Sequence, residues 1–218
     1  MISQTEENYL KAIFKIIERA DKAASTNMIA SAMHTTAGSV TAMIKNLAEK
    51  KWVTYEKYRG VVLTKEGAGI ATMLIRKHRI WEVFLCKTLG YSWDECHELA
   101  EQLEHIQNTG LIDRLDKLLG KPQFDPHGDP IPDSEGRFPP RRQKILSTLT
   151  VGQQGTVTSV LDNSPRFLQH LDRIGVKLGI KIKVLEIFDF DGSVKLRLNG
   201  KVELTVTGKV AENIYVEI

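Results

Sequence analysis

Hydrophobic positions recur at helical spacing through the first half of the chain and at strand spacing through its last third. Residues 3–20 place Leu10, Ile13, Phe14 and Ile17 at i, i+3, i+4 and i+7, which predicts an amphipathic helix. Ser25 or Thr26 caps a short second helix to about Met33. His34-Thr35 makes a turn, and Thr36 opens a third helix to about Lys51 with Val40, Met43, Ile44 and Leu47 as its stripe. Two short strands, 52–56 and 61–64, flank a tip carrying Lys57, Arg59 and Gly60. Thr64 caps a long helix over 65–89 whose apolar side holds Ile70, Met73, Leu74, Trp81 and Leu85. Ser92 and Glu95 form a capping box for a helix predicted over 92–108, and a last helix over 111–119 stops at Gly120 and Pro122. Residues 121–142 hold six of the seven prolines and are predicted to be a linker without regular structure. Beyond Ser147 strands are predicted at 155–161, 180–188, 193–198, 202–206 and 215–218. Asp191-Gly192 and Asn199-Gly200 serve as hairpin turns, and a short helix lies at 165–174. The fold class is mainly α with a carboxy-terminal all-β domain: a winged helix-turn-helix, a helical middle and a small SH3-like barrel.

Composition narrows the setting. A chain of 218 residues accommodates two or three small domains. No run of about 18 apolar residues exists, and residues 1–20 lack a signal-peptide core, so a cytoplasmic protein without a membrane partner is expected. Cys86 and Cys96 form no CxxC pair and imply no disulfide framework, which suits a reducing compartment. The net charge of +3 is unevenly spread. Residues 1–79 carry 13 Lys/Arg against 7 Asp/Glu, whereas residues 80–135 carry 4 against 12. A basic amino-terminal third points to a polyanion, and the acidic middle to a cation.

Two sets of residues carry candidate chemistry. On the third helix Gly38, Thr41, Ala42 and Lys45 face away from the apolar stripe, with Thr36 at its start and Ser39 alongside. Small residues there let a helix approach base edges, Thr41 can contact a base, and Lys45, Lys57 and Arg59 can reach phosphates. The competing reading is an ordinary three-helix bundle with a hairpin. On the predicted 92–108 helix, His97, Glu101, Glu104 and His105 fall within one arc roughly 100° wide, with Cys96, Leu99, Leu103 and Ile106 opposite. His78 and Glu82 lie one turn apart on the preceding helix. Six nitrogen or oxygen donors with no thiolate among them suit Mn(II) or Fe(II) at least as well as Zn(II). Asp125 and His127 stand two apart in the Pro-rich stretch, open between a solvated loop and a ligand pair. Asp162, after the first barrel strand, reads as a turn-former. The apolar density of the middle helices suggests pairing with a second copy, which would match palindromic half-sites in DNA.

With these motifs, the chain resembles the diphtheria toxin repressor family of metal-dependent repressors, in its manganese-sensing branch. The resemblance rests on Thr5-Glu6-Glu7-Asn8-Tyr9-Leu10, Glu56-Lys57-Tyr58-Arg59-Gly60, Arg76-Lys77-His78-Arg79, residues 97–101 with Glu104-His105, and residues 125–132. It implies a homodimer with a DNA-binding domain over 1–72, a metal-binding and dimerisation domain with linker over 73–142, and an SH3-like domain over 147–218. It also implies a primary metal site of Asn8, Glu101, Glu104 and His105. A second position would hold His78 and Glu82, completed either by His97 or by Asp125, His127 and Asp162. Manganese-sensing relatives usually carry Asp where Asn8 stands, iron-sensing ones carry sulfur where Glu101 stands, and position 125 is often Cys. The expected function is a repressor of metal-uptake genes that binds an operator when loaded with Mn(II), with Fe(II) as the alternative ion and other divalent metals acceptable in vitro. Two rivals are a carboxylate-bridged di-iron enzyme and a metal-buffering protein. The first lacks any Glu-x-x-His, and the second leaves residues 25–64 without a role.

Overall fold

Ser3 and Glu6 start the first helix, α1 (Gln4–Ala20), with a reciprocal cap: Ser3 Oγ accepts from the Glu6 N–H at 3.2 Å and the Ser3 N–H donates to Glu6 Oε2 at 3.0 Å. In the computed structural model, which describes residues 2–56, 60–108 and 110–218, this helix leads into two compact units. One holds residues 1–78, 103–113 and 132–137; the other holds 79–102, 114–131 and 138–218.

In the first unit α2 (Thr26–Ala32) is capped by Ser25 and α3 (Ala37–Glu49) by Thr36. Leu10 and Ile13 of α1, Ile29 of α2 and Val40, Ile44 and Leu47 of α3 close a core on Val53 and Val61. Those two valines belong to β1 (Val53–Glu56) and β2 (Gly60–Leu63), an antiparallel pair in register from Val53↔Leu63 to Glu56↔Gly60. The wing residues Lys57 and Arg59 lie outside the described residues. Gly60 has φ +118°, and a Cβ there would sit 2.7 Å from the Ala24 carbonyl oxygen, so this close approach demands glycine. Thr64 Oγ1 accepts from the Gly67 N–H at 3.1 Å and opens α4 (Lys65–Leu89), the helix predicted over the same span.

The helix predicted over 92–108 is shorter. Only Cys96–Leu103 is helical, as α5. Ser92 does meet Glu95, donating to Oε2 from N and Oγ at 3.0 and 2.7 Å, but the segment between them is a turn. At the other end the Ile106 N–H bonds the Leu103 carbonyl, three residues back. Asn108 Oδ1 then accepts from the Gly110 and Leu111 N–H groups, a cap that opens α6 (Leu111–Leu118) instead of extending α5. Glu104 and His105 therefore stand off the helix, and Ile106, expected on the apolar side, is exposed.

The second unit ends in a β-domain: β3 (Lys144–Ile145), a short 3-10 turn at Leu146–Thr148, β4 (Gln154–Val160), α7 (Pro165–Arg173), β5 (Lys181–Phe188), β6 (Ser193–Leu198), β7 (Val202–Val206), α8 (Gly208–Ala211) and β8 (Ile214–Glu217). Its six strands run antiparallel in the order β3-β8-β4-β5-β6-β7, around Val157, Leu168, Leu171, Val184, Leu196 and Ile214. Five strands are expected from the sequence. The sixth, β3, has two residues and is too short to show a period.

Residues 121–142 contain no helix or strand, as expected, yet they are not a solvated linker. Asp125, His127, Pro130, Ile131 and Pro132 are buried. In the second unit Arg79 donates to the Pro130 carbonyl and lies 3.5 Å from Asp125 and 3.4 Å from Asp129. The His127 carbonyl accepts from the Val160 N–H of β4 at 3.1 Å. Prolines deny the segment backbone ladders but leave its carbonyls free to accept from arginine. Gly128 has φ +82°, and a Cβ there would fall 1.8 Å from the Thr158 carbonyl oxygen. Gly128→Ala should therefore destabilise the protein by about 1–3 kcal/mol or more. Urea denaturation measures it, and unchanged stability would mean that the loop is not seated on β4.

Candidate functional site

Helix α3 turns Val40, Ile44 and Leu47 inward and leaves Thr36, Gly38, Ser39, Thr41 and Lys45 exposed. Thr36 Oγ1 accepts from the Ser39 N–H at 3.3 Å, and the Thr41 hydroxyl donates to the Ala37 carbonyl at 2.8 Å. Apart from its chain neighbours and its own helix backbone, the nearest described atom to a Cβ at Gly38 would be Thr36 Oγ1 at 3.8 Å, so the amino end of the helix is open to close approach. This face is what a recognition helix needs: small, polar and unobstructed.

The same unit contains a buried polar network built on α1. Glu6 accepts from Asn46 at 3.0 Å and pairs with Lys50, both at the carboxy end of α3. One residue on, Glu7 Oε2 lies 2.6 Å from His105 Nδ1, and Gln107 donates to Glu7 Oε1 at 3.2 Å. One turn further, the Lys11 ammonium donates to both oxygens of Glu104, at 2.6 and 2.8 Å. His78 Nδ1 lies 2.6 Å from Glu104 Oε2, and His105 Nε2 lies 3.7 Å from Oε1. Burial of Glu104 favours its neutral form, but the hydrogen bond from His78 and the Lys11 charge outweigh it, and its pKa is lowered.

Of the expected primary ligands, Glu104 and His105 thus come together, while Asn8 is half-buried on α1 and the neighbouring Glu7 is the residue that reaches His105. Glu101 is in the second unit, exposed on α5, with its carboxylate 3.7 Å from His97 Nε2. Sequence reasoning missed Glu6, Glu7 and Lys11. The available signal is that Glu7 and Lys11 are one turn apart and flank the buried Leu10.

The second unit gathers another cluster. Glu82, on α4, lies 2.9 Å from His97 Nδ1 and 3.6 Å from His127 Nδ1 through the same oxygen. Both alternatives for completing the Glu82 site, His97 and the Pro-rich loop, therefore meet at one carboxylate. His127 is fully buried, and its Nε2 lies 2.7 Å from the Trp93 carbonyl, an acceptor only, so Nε2 carries the proton and donates. Its Nδ1 is enclosed without a hydrogen-bond partner. A buried nitrogen left unsatisfied next to a carboxylate, in a ring whose tautomer is set by a carbonyl, fits a metal cation.

Asp125 is committed differently. Its Oδ1 accepts from the His127 and Asp129 N–H groups at 2.8 and 2.9 Å, and Oδ2 faces Arg79. Asp162 holds a turn, accepting from the Ser164 N–H at 2.8 Å, and among the described residues it is not one of the groups drawn together around His127. Cys96, expected on the side away from the cation, is instead drawn in: its sulfur, a Glu82 oxygen and a His127 nitrogen all lie within 4.8 Å of one another. Cys96 and His97 are adjacent on α5, about 100° apart, and Glu82 reaches both; the opposite-side expectation depends on an arc that includes Glu104 and His105, which stand off the helix.

Three family models tile the chain. Residues 1–61 match the iron dependent repressor N-terminal DNA binding domain, 64–133 the iron dependent repressor metal binding and dimerisation domain, and 144–218 the FeoA domain. The HTH-type transcriptional regulator MntR of Geobacillus kaustophilus is 34% identical over 119 residues, 55% of this chain and 83% of that protein. The chain belongs to the iron-dependent repressor family. It is a metal-dependent transcriptional repressor of that family and not a di-iron enzyme. Another relative, the diphtheria toxin repressor of Corynebacterium jeikeium, is 29% identical over 128 residues, 59% of this chain and 53% of that protein. Among solved structures, a manganese-dependent transcriptional repressor in complex with manganese aligns with a TM-score of 0.88 at 34% identity, covering 97% of this chain and 99% of the other. The manganese regulator SloR aligns with a TM-score of 0.79 at 35% identity, covering 97% of each. No helix among the described residues is long and apolar enough to cross a membrane.

The repressor's second cluster has a pH signature in the metal-free state. Burial opposes charging His127, but Glu82 foremost, then Asp125 and the Trp93 carbonyl, overcome it and raise its pKa from 6.5 to about 9. A raised folded-state pKa gives stability that is full below 6.5 and lost as pH rises through 9. Burial and repulsion from Glu82 and Asp129 push Asp125 up to about 7, which adds a loss of the same sign at lower pH. Thermal unfolding of chelator-treated protein should show stability falling between pH 6.5 and 9, and His127→Gln should flatten that slope. An equal slope in the variant would show that His127 does not titrate there.

Proposed function

We propose that this repressor is a cytoplasmic homodimer that binds a palindromic operator upstream of metal-uptake genes when it is loaded with Mn(II), with Fe(II) as the alternative ion. The observation that carries the reading is the double engagement of α1. Through Glu6 it holds Asn46 and Lys50 of the proposed recognition helix, and through Glu7 and Lys11 it holds the turn at Glu104-His105. A change of charge at that turn is thereby felt by the helix that reads DNA. Bound at Glu104 and His105, a divalent cation would supply two positive charges where Lys11 supplies one. In this site Glu104 and His105 are the ligands proposed first, with Glu7 or Asn8 contributing from α1. An oxygen and nitrogen donor set favours a hard ion such as Mn(II), and a manganese-dependent transcriptional repressor and the manganese regulator SloR are similar to this chain over most of their length.

The proposed mechanism is one of population. α1 is held to the 104–105 turn by ion pairs that compete with a cation for the same oxygens, so loading changes which arrangement of α1 and α3 predominates. Between the two copies, that arrangement would govern the spacing of the recognition helices. Polarisation of a labelled promoter fragment with and without Mn(II), Fe(II) and Zn(II) is the direct test. Equal affinity under all four conditions would reject it. For the face of α3, Lys45→Ala should weaken binding to every sequence alike and reduce the salt slope by about one, whereas Thr41→Ala should alter base preference.

Lys11→Gln separates the ion pair from the ligands. Removing one partner of a buried pair should lower metal-free stability by about 3–5 kcal/mol, because Glu104 keeps its charge with less compensation. The same loss should tighten Mn(II) binding, since the cation no longer displaces an ammonium. Calorimetry and thermal unfolding on one preparation check both. A variant with weaker Mn(II) binding would place Lys11 among the supports of the site and not among its competitors.

A further inference from the structure

We propose that Cys96 is a cation ligand in the second unit: with Glu82 and His127 it forms a sulfur-containing site suited to a borderline-soft divalent ion of the Zn(II) or Fe(II) type in preference to Mn(II). The inference rests on the metal-dependent reading above and adds the donor that decides which ion this position takes.

Three observations meet here. Cys96 is fully buried, and its sulfur lies with a Glu82 oxygen and a His127 nitrogen inside a 4.8 Å triangle. The Trp93 carbonyl accepts from His127 Nε2, which fixes Nδ1 toward Glu82 at 3.6 Å, beyond hydrogen-bond distance, and a cation bound there would take the place of the Nδ1 proton. Asp125, the loop group that a carboxylate shell would need, is occupied by two backbone N–H groups and by Arg79. Tetrahedral zinc with bonds of about 2.0–2.3 Å sets its ligands roughly 3.3–3.8 Å apart, so an inward shift on the order of 1 Å closes the triangle. His97, on the same Glu82 oxygen at 2.9 Å, is placed as a fourth donor. A thiolate and imidazoles with one carboxylate make a softer shell than the oxygen-rich turn at Glu104, and softness is what separates zinc-type from manganese-type preference.

Ligation at Cys96 breaks the Sγ–H bond as the sulfur–metal bond forms. The proton leaves to solvent and no electron is transferred. The Cys96 thiol donates to the Trp93 carbonyl at 3.5 Å in the metal-free protein, a bond that ligation releases with the proton; Cys86, one helical turn beyond Glu82, lies against Cys96 and donates to the Ser92 carbonyl at 3.7 Å, but is not one of the three groups of the triangle.

Cobalt reports the bond directly, because thiolate ligation produces a sulfur-to-cobalt charge-transfer band distinct from the d–d bands of nitrogen and oxygen ligation. The chain has two cysteines, so in Cys86→Ser a thiolate band can arise from Cys96 alone. Full-length metal-free protein titrated with Co(II) should show the band in wild type and in Cys86→Ser. In Cys96→Ser the d–d bands should remain and the thiolate band vanish. Competition with a zinc indicator should show Zn(II) affinity at this site falling by at least the 10–100-fold (roughly) that loss of even a supporting partner costs, with Mn(II) affinity changing less. Should Cys96→Ser fail to fold, the band in Cys86→Ser still assigns the sulfur. Cobalt bound without a thiolate band in wild type overturns the proposal and leaves the repressor reading standing. A band that survives in Cys96→Ser, or is lost in Cys86→Ser, overturns it too. No cobalt bound at all would instead overturn the metal-dependent reading on which it rests.

Discussion

The ion pair between Lys11 and Glu104 is the constraint on which the amino-terminal unit depends. Glu104 is completely buried, and a carboxylate there must be paired with opposite charge and hydrogen-bond donors or take up a proton. Lys11 donates to both oxygens and His78 to one, which keeps Glu104 ionised. The pair also decides the register of α1. With Lys11 pinned, Glu7 one turn earlier meets His105, and Glu6 turns toward Asn46 and Lys50. Three consecutive functions of one helix thus follow from one buried charge.

Stability alone does not account for such a pair. Replacing a buried ion pair with apolar side chains of similar volume is often neutral or stabilising, while breaking it by removing one partner is costly. What the pair adds is responsiveness: a carboxylate with one monovalent partner can exchange it for a stronger cation, which a leucine cannot. On the mechanism proposed above, Lys11 is therefore the part of α1 that senses, and the apolar stripe of Leu10 and Ile13 is the part that holds.

Much of this was legible in the chain. Helical spacing located α1 through α4 and strand spacing located β4 to β8, because each buries one continuous face and so leaves a period in the sequence. The outward face of α3 was legible for the same reason: where Val40, Ile44 and Leu47 must point inward, Thr41 and Lys45 must point out. The candidate metal residues were legible by type, and less so by grouping. The 92–108 segment shows why. A capping box, a correct period and good helix formers describe a helix, but Asn108 caps the next one and the Glu104 side chain is taken up by Lys11 from 93 residues away in the chain. No local pattern records such a competitor. The Pro-rich stretch failed in the opposite sense: prolines exclude ladders and so look like a linker, whereas the carbonyls they carry are what Arg79 binds.

Cys96 sharpens the same point in the second unit. On a continuous helix it belongs to the apolar side, and burial of a cysteine ordinarily means packing. Here burial and chemistry coincide because Cys96, the first residue of α5, sits beside His97 within reach of Glu82, and the turn at 93–95 presents the Trp93 carbonyl to His127 and to the Cys96 thiol. Trp93 itself is anchored by its indole N–H to Asp172 of α7 at 2.9 Å, and its ring stacks on His127. The β-domain thus supports the Glu82 cluster from a distance: α7 holds Trp93, and the Trp93 carbonyl, by accepting from His127 Nε2, turns Nδ1 toward Glu82. The cation site proposed at this cluster would in this way depend on the β-domain being folded, a physical role in metal binding that the domain's own surface chemistry does not suggest.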